Sequence, residues 1–247
     1  MEEKDINKNK FELGPITKHI AFFLIGWIGL SLVATIVFIF VELIVGPEPS
    51  EIAKIGANVA TNFFAYLITG AILIVVSIGD VLKGVLAQFK NKHALIDGIA
   101  YGFLVMGATA AVTVVVDALR GGAGDINSNE STIRLMTSAY PIPLFFMTAI
   151  FAPIVEEYTY RLGLFNVLSR KNRWLAYGVS ALVFGLIHFN FEATGEELIN
   201  ELWNLPSYVV SGLILCRAYE KHKCISTSII AHAINNGIAI IAQILLG

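Results

Sequence analysis

The feature that most constrains this chain is a series of seven apolar runs without charged residues. A helix needs ~20 apolar residues to cross the hydrocarbon core of a bilayer, and most of the runs are close to that length. Charged residues make up only 15% of the chain and the mean hydropathy is +0.71, which leaves too little charge to cover a water-facing surface. We therefore predict an all-α, polytopic membrane protein with about seven transmembrane helices. The runs are 20–41, 55–79, 98–116, 135–155, 174–191, 202–216 and 224–247.

The sequence divides into a tail and two membrane regions. Residues 1–18 are polar and are expected to form a cytoplasmic N-terminal tail, and 19–119 contain three runs. Residues 120–140 begin with a stretch rich in Gly, Asn and Ser, which is typical of a flexible boundary, and are expected to form an extracytoplasmic loop. Residues 141–247 are expected to form a core of four helices, although the sixth run is short and contains Pro206.

The distribution of basic residues predicts the orientation in the membrane. If the N-terminus is cytoplasmic and every run spans, 13 of the 17 Lys and Arg residues lie in cytoplasmic segments. The opposite loops carry mostly acidic residues, as the positive-inside rule requires. We therefore predict a cell-membrane protein with its N-terminus inside and its C-terminus outside. Residues 80–92 place apolar side chains at helical spacing, which predicts an interfacial helix or an extension of the second span.

The overall charge and the cysteine count exclude several functional classes. A net charge of −2 excludes a nucleic-acid binder that works by bulk positive charge. Two cysteines, Cys216 and Cys224, are too few for a disulfide-stapled secreted module or a cysteine-rich metal site. The partner that the composition itself implies is the lipid bilayer, and the sequence predicts no oligomeric state.

Ionisable residues inside the apolar runs are concentrated in the C-terminal region. An ionisable side chain deep in a bilayer costs a few kcal/mol, so each one needs a structural or functional reason. At about 1.5 Å of rise per helical residue, the residues of the fourth, fifth and seventh spans lie at similar depth, between the midplane and the cytoplasmic side. We therefore expect them to share a water-filled cavity that faces the cytoplasm. They are Glu156, Glu157, Arg161, His188, His232 and Asn236.

Spacing along each helix assigns a role to these residues. Glu157 and Arg161 are four residues apart and lie on one helix face, which favours an ion pair. Glu156 points elsewhere and is left as the free carboxylate, the candidate general base. His232 and Asn236 are also four apart and would offer two hydrogen-bond donors to an oxyanion. A purely structural role stays open for the ion pair and for a single mid-span histidine.

Three short motifs resemble those of a known protein family. EEYTYR at 156–161 has the form E-E-x-x-x-R, FGLIH at 184–188 ends in His188, and HAINN at 232–236 has the form H-x-x-x-N. In this order, on successive C-terminal helices, they resemble the CAAX-protease and bacteriocin-processing family, also called the Abi or type II CAAX prenyl endopeptidase family. The resemblance covers about residues 141–247. Phe184 is interpreted by default as a packing residue.

The resemblance implies an intramembrane endopeptidase that acts on a membrane-associated or hydrophobic peptide or protein. By this likeness, Glu156 and His188 activate a water, His232 and Asn236 stabilise the oxyanion, and Glu157 with Arg161 supports the site. Three of these residues, Glu156, His188 and His232, would also suit a zinc ion, so glutamate catalysis without a metal and zinc catalysis both stay open. The alternatives are a non-proteolytic immunity or scaffold protein and, further off, a proton-coupled transporter.

Overall fold

The computed structural model describes residues 15–246 and confirms the all-α prediction. Residues 1–14 of the predicted tail lie outside this range. Within it the chain forms nine helices and no strand. They are α1 (Ile16–Val45), α2 (Glu51–Val76), α3 (Asp80–Gln88), α4 (Lys92–Arg120), α5 (Ser128–Ala139), α6 (Pro141–Ser169), α7 (Arg173–Leu186), α8 (Gly195–His222) and α9 (Ile225–Leu246).

Five helices of the described chain are long and apolar enough to cross a membrane, namely α1, α2, α4, α6 and α9. The fifth predicted span corresponds to α7, which has only 14 residues. The sixth corresponds to α8, a helix of 28 residues that contains Pro206 and carries acidic residues in its first turn and basic residues in its last. A multi-pass membrane protein is therefore supported, and the count of seven spans stays a prediction.

Two connections differ from simple loops. The helix α3 is separate from α2 and not an extension of it, because Gly79 turns the chain with a φ of 105°, a conformation that glycine adopts readily. The region 120–140, predicted to be a loop, contains α5. The side chain of Asn127 caps α5 by accepting a hydrogen bond from the backbone N–H of Glu130 at 2.9 Å, and the sequence analysis overlooked this start signal.

Cross-links between helices define two ends of the bundle. At the first, Lys221 lies 2.7 Å from Asp97 of α4, and Arg173 pairs with Glu220. We call this the basic end, formed by residues 77–92, 170–173 and 217–224. At the other, Gln243 of α9 donates to Glu130 of α5 at 2.9 Å, and Arg120 of α4 donates to Asn200 of α8 at 3.2 Å. We call this the acidic end, formed by 46–51, 117–140 and 187–204.

The helix α6 lies in the centre, between α1 and α2 on one side and α7, α8 and α9 on the other. Helix α6 therefore packs against both halves of the chain, and 61% of its most apolar 18-residue stretch is buried. The main hydrophobic cluster fills the bundle toward the basic end. It includes Phe22, Leu73, Val81, Val85, Leu162, Phe165, Ala176, Cys216, Tyr219 and Ile225.

Candidate active site

A buried ion pair on α6 anchors the candidate site. Oε1 of Glu157 lies 3.1 Å from Nη1 of Arg161, and neither side chain is exposed, as the four-residue spacing predicts. The guanidinium of Arg161 lies 4.6 Å above the ring of Phe184 and donates to the carbonyl oxygen of Gly212 at 3.3 Å. This part of α6 is wound as a π-helix over Tyr158–Phe165, a distortion that is frequent at functional sites.

His232 of α9 lies between the two glutamates of α6. Its Nδ1 is 2.9 Å from Oε1 of Glu157, and its Nε2 is 3.7 Å from Oε2 of Glu156. An ionised carboxylate only accepts hydrogen bonds, so Nδ1 donates to Glu157. The second distance is longer than a direct hydrogen bond. The imidazole is therefore oriented by Glu157 and presents its other nitrogen toward Glu156.

Glu156 is buried, with 5% of its surface exposed, and one of its oxygens is engaged. The hydroxyl of Tyr66, on α2, donates to Oε1 of Glu156 at 3.2 Å. Oε2 has no hydrogen-bond partner among the described residues. A buried polar atom of this kind is uncommon and calls for a functional reason. Tyr66 belongs to the part of the chain in which the sequence analysis found no motif.

His188 lies beyond the end of its helix rather than within a span. The run 174–191 predicted a longer helix, but α7 ends at Leu186. Nδ1 of His188 donates to the carbonyl oxygen of Phe184, in the last turn of α7, at 3.0 Å. Further along, the backbone N–H of Asn190 donates to Glu201 of α8. The ring of His188 stacks on that of Tyr208 at 4.5 Å.

Asn236 lies one turn beyond His232 on α9, as its spacing predicts. Its Nδ2 donates to the carbonyl oxygen of Thr148 at 3.0 Å, and its Oδ1 accepts from Asn235. Each nitrogen of His232 faces a glutamate. The two side chains therefore do not point at a single position in this structure, although the amide of Asn236 carries a second hydrogen. The oxyanion role of the pair stays a prediction.

Three cavities surround these residues. One of about 300 Å³ is bordered by His188, His232 and Asn236, and a second, of about 290 Å³, by Glu156, His188 and Asn236. The third, of about 560 Å³, is bordered by Glu156, His188 and Tyr66. All three extend to the acidic end, where α5 and the segment after α7 contribute to their walls. The predicted position of the cavity, toward the end with the basic residues, was therefore wrong.

The described residues do not form a metal site. Between Ile16 and Leu246, no group of three or more His, Cys, Asp and Glu side chains is arranged to hold a metal ion. His232 directs Nδ1 to Glu157, and His188 directs Nδ1 to a backbone carbonyl. The three candidate zinc ligands thus lack a common centre here, and the prediction of a metalloprotease finds no support in this arrangement.

Sequence reasoning named Phe184 only as a packing residue and missed three other contributors to the site. Phe184 packs against the rings of His188 and His232, at 5.2 and 5.6 Å, as well as against Arg161. The short motif that contains Phe184 signals its position but not these contacts. Tyr66, Tyr208 and the carbonyl of Thr148 come from other helices, and no spacing pattern in the sequence connects them to the site.

Comparisons with known proteins agree with the resemblance of the motifs. The family model of the type II CAAX prenyl endopeptidases, Rce1-like, matches residues 138–238. The membrane-embedded CAAX protease MroQ of Staphylococcus aureus is 30% identical over 204 residues, which are 79% of this chain and 77% of that protein. The UPF0177 protein YbdI of Lactococcus lactis is 28% identical over 189 residues, 75% of this chain and 97% of that protein. None of the solved structures matches this chain.

Proposed function

The chain belongs to the family of Rce1-like, membrane-embedded CAAX proteases, and from this premise we propose that it is an intramembrane endopeptidase whose general base is Glu156. The observation that carries the proposal is the position of His232 between Glu157 and Glu156. A buried carboxylate oxygen without a partner among the described residues, 3.7 Å from an oriented imidazole and bordering a cavity, suits the activation of a water.

In the proposed reaction, Glu156 removes a proton from a water while the water oxygen bonds to the carbonyl carbon of the scissile peptide. The π electrons of the carbonyl move onto its oxygen. The oxyanion then re-forms the C=O bond as the C–N bond breaks, and Glu156 returns the proton to the leaving nitrogen, which gives a carboxylic acid and an amine. His188 borders the same two cavities as Glu156 and helps to hold the water.

The proposed oxyanion site consists of His232 and Asn236. In this proposal, Glu157 accepts the hydrogen of Nδ1 of His232, and Nε2 is the atom that donates to the oxyanion. Asn236 adds the second hydrogen of its amide, the first being given to Thr148. Donors fixed in place before the reaction stabilise the charge that develops in the transition state. Glu157 and Arg161 act through His232 and are positioning residues.

Tyr66 is the proposed contribution of the N-terminal region to this chemistry. Its hydroxyl holds Oε1 of Glu156 and so fixes the direction of Oε2. A fixed direction matters because a small displacement of a catalytic group lowers the rate steeply. We assign Tyr66 as a positioning residue and not as an acid or base.

The test is cleavage of hydrophobic peptides by the purified protein in detergent or liposomes, with Glu156→Gln as the control. The amide of glutamine keeps the shape of the side chain but takes no proton. We expect cleavage by the unmodified protein and none by the variant. Activity of Glu156→Gln comparable to that of the unmodified protein would refute the assignment of the base.

The same preparation tests the zinc alternative. Elemental analysis and prolonged treatment with a chelator, followed by added zinc, measure whether activity depends on the metal. We expect no stoichiometric zinc and no loss of activity on chelation. One zinc per chain together with inactivation that zinc reverses would contradict catalysis by Glu156 alone.

A further inference from the structure

The cavities around the candidate active site extend to one end of the bundle only. Their walls include residues of the connection before α5, of α5 itself and of the segment that follows α7. Examples are Asn127 and Glu130 beside His232 and His188, and Phe191 beside Glu156. None of the three cavities is bordered by a residue of the basic end, 77–92, 170–173 or 217–224.

The bundle is filled between the site and the basic end. Phe165 packs edge-on against Tyr177 and Tyr219 at 5.3 and 5.8 Å, and Phe22 packs against Tyr158 at 5.5 Å. Four of these five belong to the cluster of fully or almost fully buried residues, and Tyr177 packs against it. Protein interiors of this kind are close-packed and leave no passage for a peptide. Access to the site from the basic end is therefore blocked.

The charges assign the two ends to the two sides of the membrane. Ten Lys and Arg residues of the described chain lie at the basic end or, for Lys18, in the first turn of α1 beside it. Among the described residues, only Arg120 and Arg134 lie at the acidic end, and Lys54 lies in the first turn of α2 beside it. Cytoplasmic segments of membrane proteins are enriched in Lys and Arg, so the basic end is the cytoplasmic one.

We propose that the active-site cavities open to the extracytoplasmic side and that the substrate is a polypeptide segment presented there. An exported peptide, or the part of a membrane protein that emerges on that side, belongs to this class. That the bound polypeptide is a substrate rests on the proposed peptidase function. The side of the membrane to which the cavities open rests on the cavity walls and the charges alone.

Labelling of single cysteines in intact cells tests the sidedness. Cys216 and Cys224 are buried, with 0% and 2% of their surfaces exposed, so the unmodified chain provides the background. Glu192→Cys and Glu196→Cys place a thiol at exposed positions of the acidic end, and Lys171→Cys is the matched probe of the basic end. Ser207→Cys places a thiol in the wall of the first cavity.

A membrane-impermeant maleimide is expected to label the two acidic-end variants and Ser207→Cys in intact cells, and Lys171→Cys only after permeabilisation. Labelling of Lys171→Cys in intact cells, with the acidic-end variants protected, would overturn the inference. So would labelling of Ser207→Cys from the same side as Lys171→Cys. These results do not depend on activity, so they stand apart from a failure to detect cleavage, which bears only on the proposed function.

The functional arm adds a peptide substrate outside intact cells or outside sealed vesicles of known orientation. Cleavage is expected when the acidic end faces the peptide and is expected to be absent when the basic end does. The Glu156→Gln variant distinguishes this cleavage from that of other proteases. Cleavage confined to vesicles that expose the basic end would contradict the proposal.

Discussion

The helices α1 and α6 are both long enough to span a bilayer, yet they are buried to opposite extents. None of the residues in the most apolar 18-residue stretch of α1 is buried, whereas 61% of the corresponding stretch of α6 is. Leu43 and Ile44 of α1 are 76% and 84% exposed, while Glu157 and Arg161 of α6 have no exposed surface. The most apolar segment faces outward and the segment with the charges lies inside.

The surrounding lipid explains why the most apolar helix is exposed and the helix with charged residues is buried. Lipid chains are as apolar as leucine side chains, so burying an apolar helix in the bundle gains no hydrophobic free energy. A charged side chain that faces the hydrocarbon costs several kcal/mol and is therefore directed into the bundle, where it finds a partner. The polarity of a span thus predicts its burial.

The two regions are not independent, because α2 reaches the site through Tyr66. The N-terminal helices also close one wall of the third cavity, with Trp27 and Leu30 of α1. The comparison is then between a region that contains the proposed reacting groups and one that borders them and contacts Glu156. Substitutions in each region test this division.

The largest effect is expected from the two adjacent glutamates of α6. Glu156→Gln should lower turnover by about 10²–10⁴-fold and leave the protein folded, because it removes only the proposed proton acceptor. Glu157→Gln should lower thermal stability as well as activity, since it leaves Arg161 without its carboxylate in a fully buried position. Cleavage assays and thermal unfolding in detergent measure the two effects. Equal loss of activity with unchanged stability in both variants would contradict this division of roles.

A smaller effect is expected at Asn236. Removal of one oxyanion donor typically lowers the rate by ~10²–10³-fold. Asn236→Ala should lower kcat by about this factor with little change in KM, because the oxyanion exists only after the water has attacked. Asn236→Asp should be at least as damaging, since a carboxylate repels the oxyanion. A variant that binds the substrate much more weakly but has normal kcat at saturation would place Asn236 in substrate recognition.

Tyr66→Phe tests the contribution of the N-terminal region. A hydrogen bond to a charged group contributes about 1.5–3 kcal/mol, so its loss should lower kcat by about tenfold or more. KM should change little, because Tyr66 contacts Glu156 and is proposed only to position it. Tyr140→Phe is the matched control, as its hydroxyl donates to the backbone of Ile52 away from the site. An unchanged kcat in Tyr66→Phe would contradict the proposal that the N-terminal region contributes to catalysis through Tyr66.

The sequence predicted those features that depend on one helix at a time. Five of the seven apolar runs correspond to helices of the described chain that are long and apolar enough to span a membrane, and the spacing of Glu157 and Arg161 predicted their ion pair. The end of α7 before His188 escaped prediction, because the segment that follows is held by a contact with another helix: Glu201 accepts a hydrogen bond from the backbone N–H of Asn190. Tyr66 and Tyr208 were missed for the same reason, since contacts between distant helices leave no periodic pattern.

The smallest effect is expected on stability, when one glycine from each region is replaced by alanine. A methyl group added at Gly212 of α8 would lie 2.8 Å from the Cα and 3.0 Å from the carbonyl oxygen of Ala181 on α7, so the backbones of the two helices must move apart. Overpacking of this kind typically costs about 1–3 kcal/mol. Gly107 of α4 has no atom within 4 Å of the corresponding position. An alanine there should stabilise its helix by about 0.5–1 kcal/mol.

Thermal unfolding of Gly212→Ala and Gly107→Ala in the same detergent measures the two changes in unfolding temperature. The changes should be opposite in sign, a decrease for Gly212→Ala and an increase for Gly107→Ala. Activity adds a second readout, because the carbonyl oxygen of Gly212 accepts from Arg161, which in turn holds Glu157. Gly212→Ala should therefore lose activity beyond its loss of folded protein, while Gly107→Ala should keep full activity. If both alanines lowered the unfolding temperature equally, the outward face of α4 would be packed against something in the folded protein, and the contrast between the two regions would fail at that face.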